Sequence, residues 1–263
     1  MDALAALRLQ LEWGADEALA EVPLDRFAAR TAPKMQPAME QVQPASLPRV
    51  QPVAAKARPA ASAPVQRAQD VAAAARTLAE LRQALATFDG CALSATATNL
   101  VFADGNPEAG LMLVGEGPGA EEDRAGLPFV GPSGQLLDRM LASIGLDRTK
   151  YLITNLIPWR PPGNRNPTDS EVLICLPFLL RHIALVQPRH LVLLGATAAR
   201  ALLGGSTGIT KLRGKWVETR IPGMAAPVPT LPMLHPAYLL RSPGAKRDAW
   251  TDLLLLRRTL DQN

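Results

Sequence analysis

The spacing of apolar and polar positions changes several times along this chain, and each change marks an element. Leu111-Met112-Leu113-Val114 is an unbroken apolar run and reads as a buried strand over 111–115. Leu136, Leu137, Met140, Leu141 and Ile144 recur at helical spacing and predict a helix over 133–145. Between them Gly115 to Gly134, GEGPGAEEDRAGLPFVGPSG, follows neither period and reads as a long loop. A second strand is expected at 151–154 (YLIT). The helix after it opens with Thr168 and Glu171, a hydroxyl at the N-cap with a carboxylate three residues on. Leu191 to Leu194 is a third apolar run that ends in Gly195 and feeds a short helix through Leu203. Two further strands, 215–220 and 228–234, and a closing helix from Lys246 to Leu260 complete the series. Upstream, Leu78, Leu81, Leu85 and Phe88 share one face of another helix, which leads into Cys91. Repeated strand–helix–strand units predict an α/β fold: a three-layer α/β/α sandwich with a central, mostly parallel sheet.

The beginning of the chain differs in composition. Residues 1–30 place Leu4, Leu7 and Leu11 on one helical face, broken at Gly14. Their six acidic against three basic residues argue against a transit peptide. This segment reads either as a docking peptide for a protein partner or as a poorly ordered terminus. Residues 31–68 contain seven prolines and no hydrophobic period, a linker composition. They hold Lys34, Arg49, Lys56, Arg58 and Arg67 against the single acid Glu40, so the chain's net charge of +4 sits on this tether. Such a tether either adds salt-dependent attraction to nucleic-acid phosphates or acts as a plain spacer. Residues 69–263 form the expected folded domain.

The two cysteines, Cys91 and Cys175, make no disulfide framework, and a reducing compartment is the expectation. No apolar run reaches the roughly 18 residues of a membrane span, and no signal-peptide pattern opens the chain. A soluble, cytoplasmic, monomeric protein without a membrane partner is expected.

Open α/β sheets bind ligands beyond the carboxyl ends of their strands, so three strand-end loops hold the candidate chemistry. The first offers the backbone of Gly115, Gly117 and Gly119 to close approach and carries Glu116 and Phe129. GEGPG is not the dinucleotide-binding glycine pattern, and the acids Glu116, Glu121, Glu122 and Asp123 disfavour a phosphate cradle. The second, NLIPWRPPGNRNP from Asn155 to Pro167, puts Arg160 and Arg165 on a proline-rigid turn. The third is His235-Pro236-Ala237-Tyr238-Leu239-Leu240-Arg241. Taken singly, each residue has an ordinary structural role: Asn155 as a turn cap, His235 as a satisfied loop histidine, Phe129 as core. Together, one carboxylate, one amide, one imidazole and one aromatic face make a polar pocket of nucleobase size.

GEGPGAEEDRAGLPFVGPSGQLLDRML (115–141), YLITNLIPWRPPGNRNPTDSE (151–171), LVLLGATAARALLG (191–204) with LRG (212–214), and HPAYLLR (235–241) resemble the uracil-DNA glycosylase superfamily, nearest its family 4 branch. The resemblance covers about residues 75 to 260. It implies an enzyme that extrudes deoxyuridine from the duplex and reads it in a pocket. Phe129 would stack under the uracil ring, and Asn155 would address O4 and N3–H together. Neutral His235, with the backbone of the Gly115 and Gly117 loop, would stabilise negative charge on uracil O2. Glu116 would direct the attacking water, although in the family 1 pattern that acid stands one position later, where this chain has Gly117. Glu122 or Asp123 would wall out the thymine methyl. Tyr238, Leu239 and Leu240 would wedge into the vacated stack with Arg241 on phosphate, and Arg160, Arg165 and Arg213 would be further phosphate contacts.

One departure concerns a cofactor. Family 4 members similar to this chain hold an iron–sulfur cluster on four cysteines. Here Cys91 and Cys175 occupy the second and fourth places, while Phe88 stands in the first and Trp159 in the third. The expectation is no cluster and no metal, with aromatic packing in its place; His182, seven residues beyond Cys175, lacks a ligand pattern. The resulting reading is a monofunctional uracil-DNA glycosylase that leaves an abasic site and starts base-excision repair. The alternatives are a uracil- or abasic-DNA binding protein, or a polymerase-associated module, on the same fold. A covalent-trapping relative is disfavoured, because Pro161 to Pro167 runs without the inserted basic loop.

Overall fold

The computed structural model describes residues 63–262. The helix expected within residues 1–30, its docking role and the tether up to residue 62 lie outside the described residues. Helix α1 (Ala63–Ala74) starts inside the stretch expected as linker, and it buries Ala68 and Ala72. Its fully buried residues are alanines, with Val71 partly buried beside them, so no large-residue periodicity announces the helix.

Six strands form one sheet: β1 (Ala103–Gly105), β2 (Leu111–Gly115), β3 (Leu152–Asn155), β4 (His190–Leu194), β5 (Val217–Thr219) and β6 (Val228–Met233). Their order is β1-β3-β2-β4-β6-β5. The inner strands β3, β2, β4 and β6 run parallel, and the short edge strands β1 and β5 pair antiparallel. The mostly parallel sheet expected from the sequence is therefore present, with both edges reversed. β1 was not anticipated, since Ala-Asp-Gly carries no strand signal of its own.

Alternate residues of the inner strands feed different cores, the period-2 geometry of a strand covered on both faces. Met112, Val114, Leu191 and Leu193 pack with α1, α2 (Leu78–Ala86) and the long α6 (Asp169–Val186). Leu111, Leu113, Val192 and Leu194 pack instead with α5 (Pro132–Ala142) and α10 (Lys246–Asp261). The capping box of α6 forms as expected: Glu171 N donates to Thr168 Oγ1 at 3.3 Å and Thr168 N to Glu171 Oε2 at 2.8 Å.

Shorter helices lie between: α3 (Leu93–Thr96), α4 (Ala120–Ala125), α7 (Ala196–Leu203), α8 (Ile209–Leu212) and α9 (Pro236–Arg241). Two of these correct the expectation of loops. Helix α4 interrupts the 115–134 stretch, with Glu121, Glu122 and Asp123 in its first turn, where acids favour a helix start, and left-handed Gly126 closing it. Helix α9 follows His235 directly, with Pro236 at its first position. Among the described residues no helix is long and apolar enough to cross a membrane.

Candidate active site

The carboxyl ends of β2 and β3 lie side by side, with Gly115 opposite Asn155 in the parallel register. Pairing continues beyond the strands, where Leu156 N donates to Gly115 O and Ile157 N to Glu116 O, each at 2.9 Å. Glycine is needed at 115, because a Cβ would stand 2.5 Å from Asn155 Oδ1 and run into the Phe129 ring. Asn155 is only 5% exposed, and its Oδ1 is buried without a hydrogen-bond partner. Leaving such an acceptor unsatisfied costs about 1–3 kcal/mol, which a ligand N–H would recover.

Phe129 has a left-handed backbone, φ 57°, unusual for a bulky side chain. Arg148 holds it there: Nη2 donates to Phe129 O at 2.7 Å and Nη1 to Pro128 O at 3.3 Å. The guanidinium is itself fixed by Asp138 and Asp104. The Phe129 ring lies 5.7 Å from that of His235, tilted by 31°.

His235 caps α9, and its Nδ1 accepts from Ala237 N at 3.1 Å. In the neutral ring the proton therefore sits on Nε2, which is left as a donor. Burial, with a smaller contribution from the Arg241 charge, lowers the His235 pKa to about 4 and keeps the ring neutral near neutral pH.

Glu116, Gly117, Glu122, Phe129, Asn155 and His235 line one cleft of about 400 Å³, with Tyr238, Arg165 and Arg241 also on its wall. Both carboxylate oxygens of Glu122 are engaged by backbone: Gly131 N donates to Oε1 at 2.7 Å and Gly119 N to Oε2 at 3.0 Å. Glu122 thus ties together the two ends of the loop that carries Phe129. Asp123, the other candidate against thymine, turns away and accepts from Thr98 N and Oγ1 and from Asn99 N. The Glu116 carboxylate accepts a 2.6 Å hydrogen bond from Thr197 Oγ1.

The expected DNA-contact residues divide. Tyr238 (41% exposed), Leu240 (44%) and Arg241 are on the surface of α9. Leu239 is not: at 0% exposure it packs with Leu136, Leu234 and Ala249, because on so short a helix only one face can point outward. Arg213, expected on phosphate, is engaged inside the protein. It makes a two-point pair with buried Asp252 and a further bond to the carbonyl of Asp248, which leaves it committed within the protein. Arg165 pairs with Glu171 while remaining on the cleft wall, and this bond holds the Glu171 pKa down to about 2. Arg160 Nε donates to Asn164 Oδ1 at 2.7 Å, and its Nη1 lies 4.0 Å from Asp123.

Thr197 and Arg148 were missed from the sequence. Thr197 follows the end of β4 and could have been found by the strand-end rule applied to Asn155; Arg148 has no local signal, since its partners are scattered from Asp104 to Asp138.

Phe88, Cys91, Trp159 and Cys175 belong to one buried cluster, and Phe88 meets Phe178 edge-on at 5.0 Å between ring centroids. Interaction between the two thiols lowers the Cys91 pKa and, with burial, pushes that of Cys175 up. The chain has only these two cysteines, so a cluster held by four thiolates does not fit this donor set. His182 does not join the thiols as a ligand set. Its ring instead stacks on Phe102 at 4.6 Å.

The model of the uracil DNA glycosylase superfamily matches residues 102–255. The chain is 37% identical over 182 residues to a type-4 uracil-DNA glycosylase of Pyrobaculum aerophilum, an alignment covering 68% of this chain and 92% of the relative. It is 40% identical over 153 residues to that of Thermotoga maritima (58% and 77%) and 40% identical over 166 residues to that of Archaeoglobus fulgidus (62% and 82%).

Proposed function

The chain belongs to the uracil DNA glycosylase superfamily, and on that premise we propose that it is a monofunctional uracil-DNA N-glycosylase that works without an iron–sulfur cluster. The observation that carries the reading is the unspent, buried Asn155 Oδ1 in the wall of a cleft it shares with Phe129 and His235. Uracil offers N3–H to an acceptor and O4 to a donor, and one carboxamide supplies both. Cytosine, with an acceptor at N3 and a donor at C4, mismatches both.

In this reading the flipped base stacks on Phe129 while Asn155 holds its N3–O4 edge. As the C1′–N1 bond breaks, its electron pair moves into the uracil ring and onto O2, where the Nε2–H of His235 donates to the developing charge. Glu116 directs water to C1′, where the new C–O bond forms, and the proton water gives up to solvent balances the one the departing uracil anion takes at N1. The products are free uracil and an abasic site, the entry to base-excision repair. Exposed Leu240 and Tyr238 fill the vacated stack, and Arg241, Arg160 and the partly neutralised Arg165 meet phosphate. Glu122 braces the loop and is the candidate wall against the thymine methyl.

The lack of a cluster is supported by the donor set, with Phe88 and Trp159 in two of the four ligand places. The test uses the full chain on single- and double-stranded oligonucleotides bearing one uracil, measuring alkali-labile strand breaks beside iron content. Breaks by iron-free protein are expected. Binding of uracil DNA without breaks would replace the enzyme by a damaged-DNA binder, and iron bound in step with activity would overturn the cluster-free reading.

A further inference from the structure

We propose that Thr197 is a positioning residue for Glu116, fixing one carboxylate oxygen so that the other is presented to the attacking water. This inference rests on the reading of Glu116 as the water-directing acid. β4 lies beside β2 in the sheet, so the first turn of α7, which leaves β4, comes next to the loop that leaves β2. Thr197 stands in that turn, and its Oγ1 lies 2.6 Å from Glu116 Oε2.

A hydroxyl donating to a carboxylate is a charge-assisted bond, shorter and stronger than a neutral one. Glu116 sits between two glycines, and glutamate carries several free torsions. Among the described residues this is the only hydrogen bond its carboxylate makes, and it makes no ion pair there. The donor side is stiff by comparison, because threonine is β-branched and the helix backbone fixes where its hydroxyl can be. Ordering thus runs from the helix to the loop. With Oε2 committed to Thr197, the unpaired Oε1 is left as the acceptor for a water proton. A carboxylate so held gives up little freedom in reaching a reactive geometry. The competing role is a structural tie of α7 to the glycine loop, which would affect folding or base binding but not act through the acid.

A double-mutant cycle on the full-length protein separates these roles, read as single-turnover excision from a duplex with one uracil at saturating enzyme. Thr197→Val keeps the shape and removes the hydroxyl; it should slow the chemical step about ten-fold with half-saturation unchanged, and Thr197→Ser should restore most of the rate. Glu116→Gln should be slow alone, and adding Thr197→Val to it should cost nothing further. Equal losses in both backgrounds, or a wild-type rate for Thr197→Val, would overturn the proposal. A wild-type rate for Glu116→Gln would instead sink the role of Glu116 itself. If valine lowers the melting temperature, Thr197→Ala is put through the same cycle, with the same non-additivity expected and additivity again overturning the proposal.

Discussion

Gly134 packs against the carbonyl of Phe129 so closely that a Cβ at position 134 would overlap it. The same carbonyl accepts from Arg148 Nη2, and Phe129 itself is left-handed. Phe129 is therefore held in a conformation it would not choose, by a helix that gives way at one glycine and by an arginine reaching across from beyond that helix.

Gly134→Ala should push Phe129 out of this position. The expected cost is about 1–3 kcal/mol of stability, as for other overpacked sites, together with a loss of uracil excision that outlasts correction for the folded fraction. Urea unfolding and single-turnover excision on the same preparation check both. Normal excision would mean that the Phe129 backbone geometry is not needed.

Histidines whose pKa is lowered in the folded chain make stability depend on pH in a definite direction. Burial lowers His182 from 6.5 to about 4 in the folded chain. Between those values the unfolded chain takes up a proton that the folded chain refuses, so stability falls as pH drops through this window and levels off below it. The full effect is at most about 3 kcal/mol for a shift of this size. His235 acts in the same sense. His182→Phe preserves a ring against Phe102 and removes one of these protons. Compared by urea unfolding at about pH 7 and about pH 4.5, the variant should gain on the wild type at the lower pH. An equal difference at both would count against a neutral, buried His182.

What could be read in advance follows from how far each signal extends along the chain. The inner strands and long helices carried their own apolar periods, and Leu111 to Val114 or Leu136 to Ile144 identify themselves without neighbours. That Glu116, Phe129, Asn155 and His235 would share one cleft was legible because strand ends in this architecture converge. The misses have a different origin. Ala103 to Gly105 becomes a strand only by pairing with β3, and Ala68 and Ala72 bury small side chains that leave no hydrophobic signature. The commitment of Arg213 depends on Asp252 in a helix 39 residues away, a partnership no local pattern records.

Asn155→Ala tests the reading of the base. It removes the carboxamide that would pair with uracil, and a site built around such a pair loses much more than packing when it is deleted. Excision of uracil should fall by about 10²-fold or more, with the melting temperature held or raised, since the lost Oδ1 had no partner to forfeit. Excision at the wild-type rate would remove Asn155 from base recognition.

Leu239 and Leu240 are neighbours in sequence with opposite surroundings, 0% and 44% exposed, and they should respond oppositely to truncation. Leu239→Ala leaves a cavity among Leu136, Leu234 and Ala249 and should cost about 2–5 kcal/mol of stability, as buried leucine truncations do. Leu240→Ala removes only exposed surface from the free protein and should leave stability nearly unchanged. If Leu240 fills the gap left by a flipped nucleotide, its loss should slow excision from duplex DNA while sparing single strands, where no stack has to be opened. The ratio of duplex to single-strand rates, measured for both variants, isolates that effect from folding. A ratio unchanged in Leu240→Ala would leave Tyr238 as the only remaining wedge on α9.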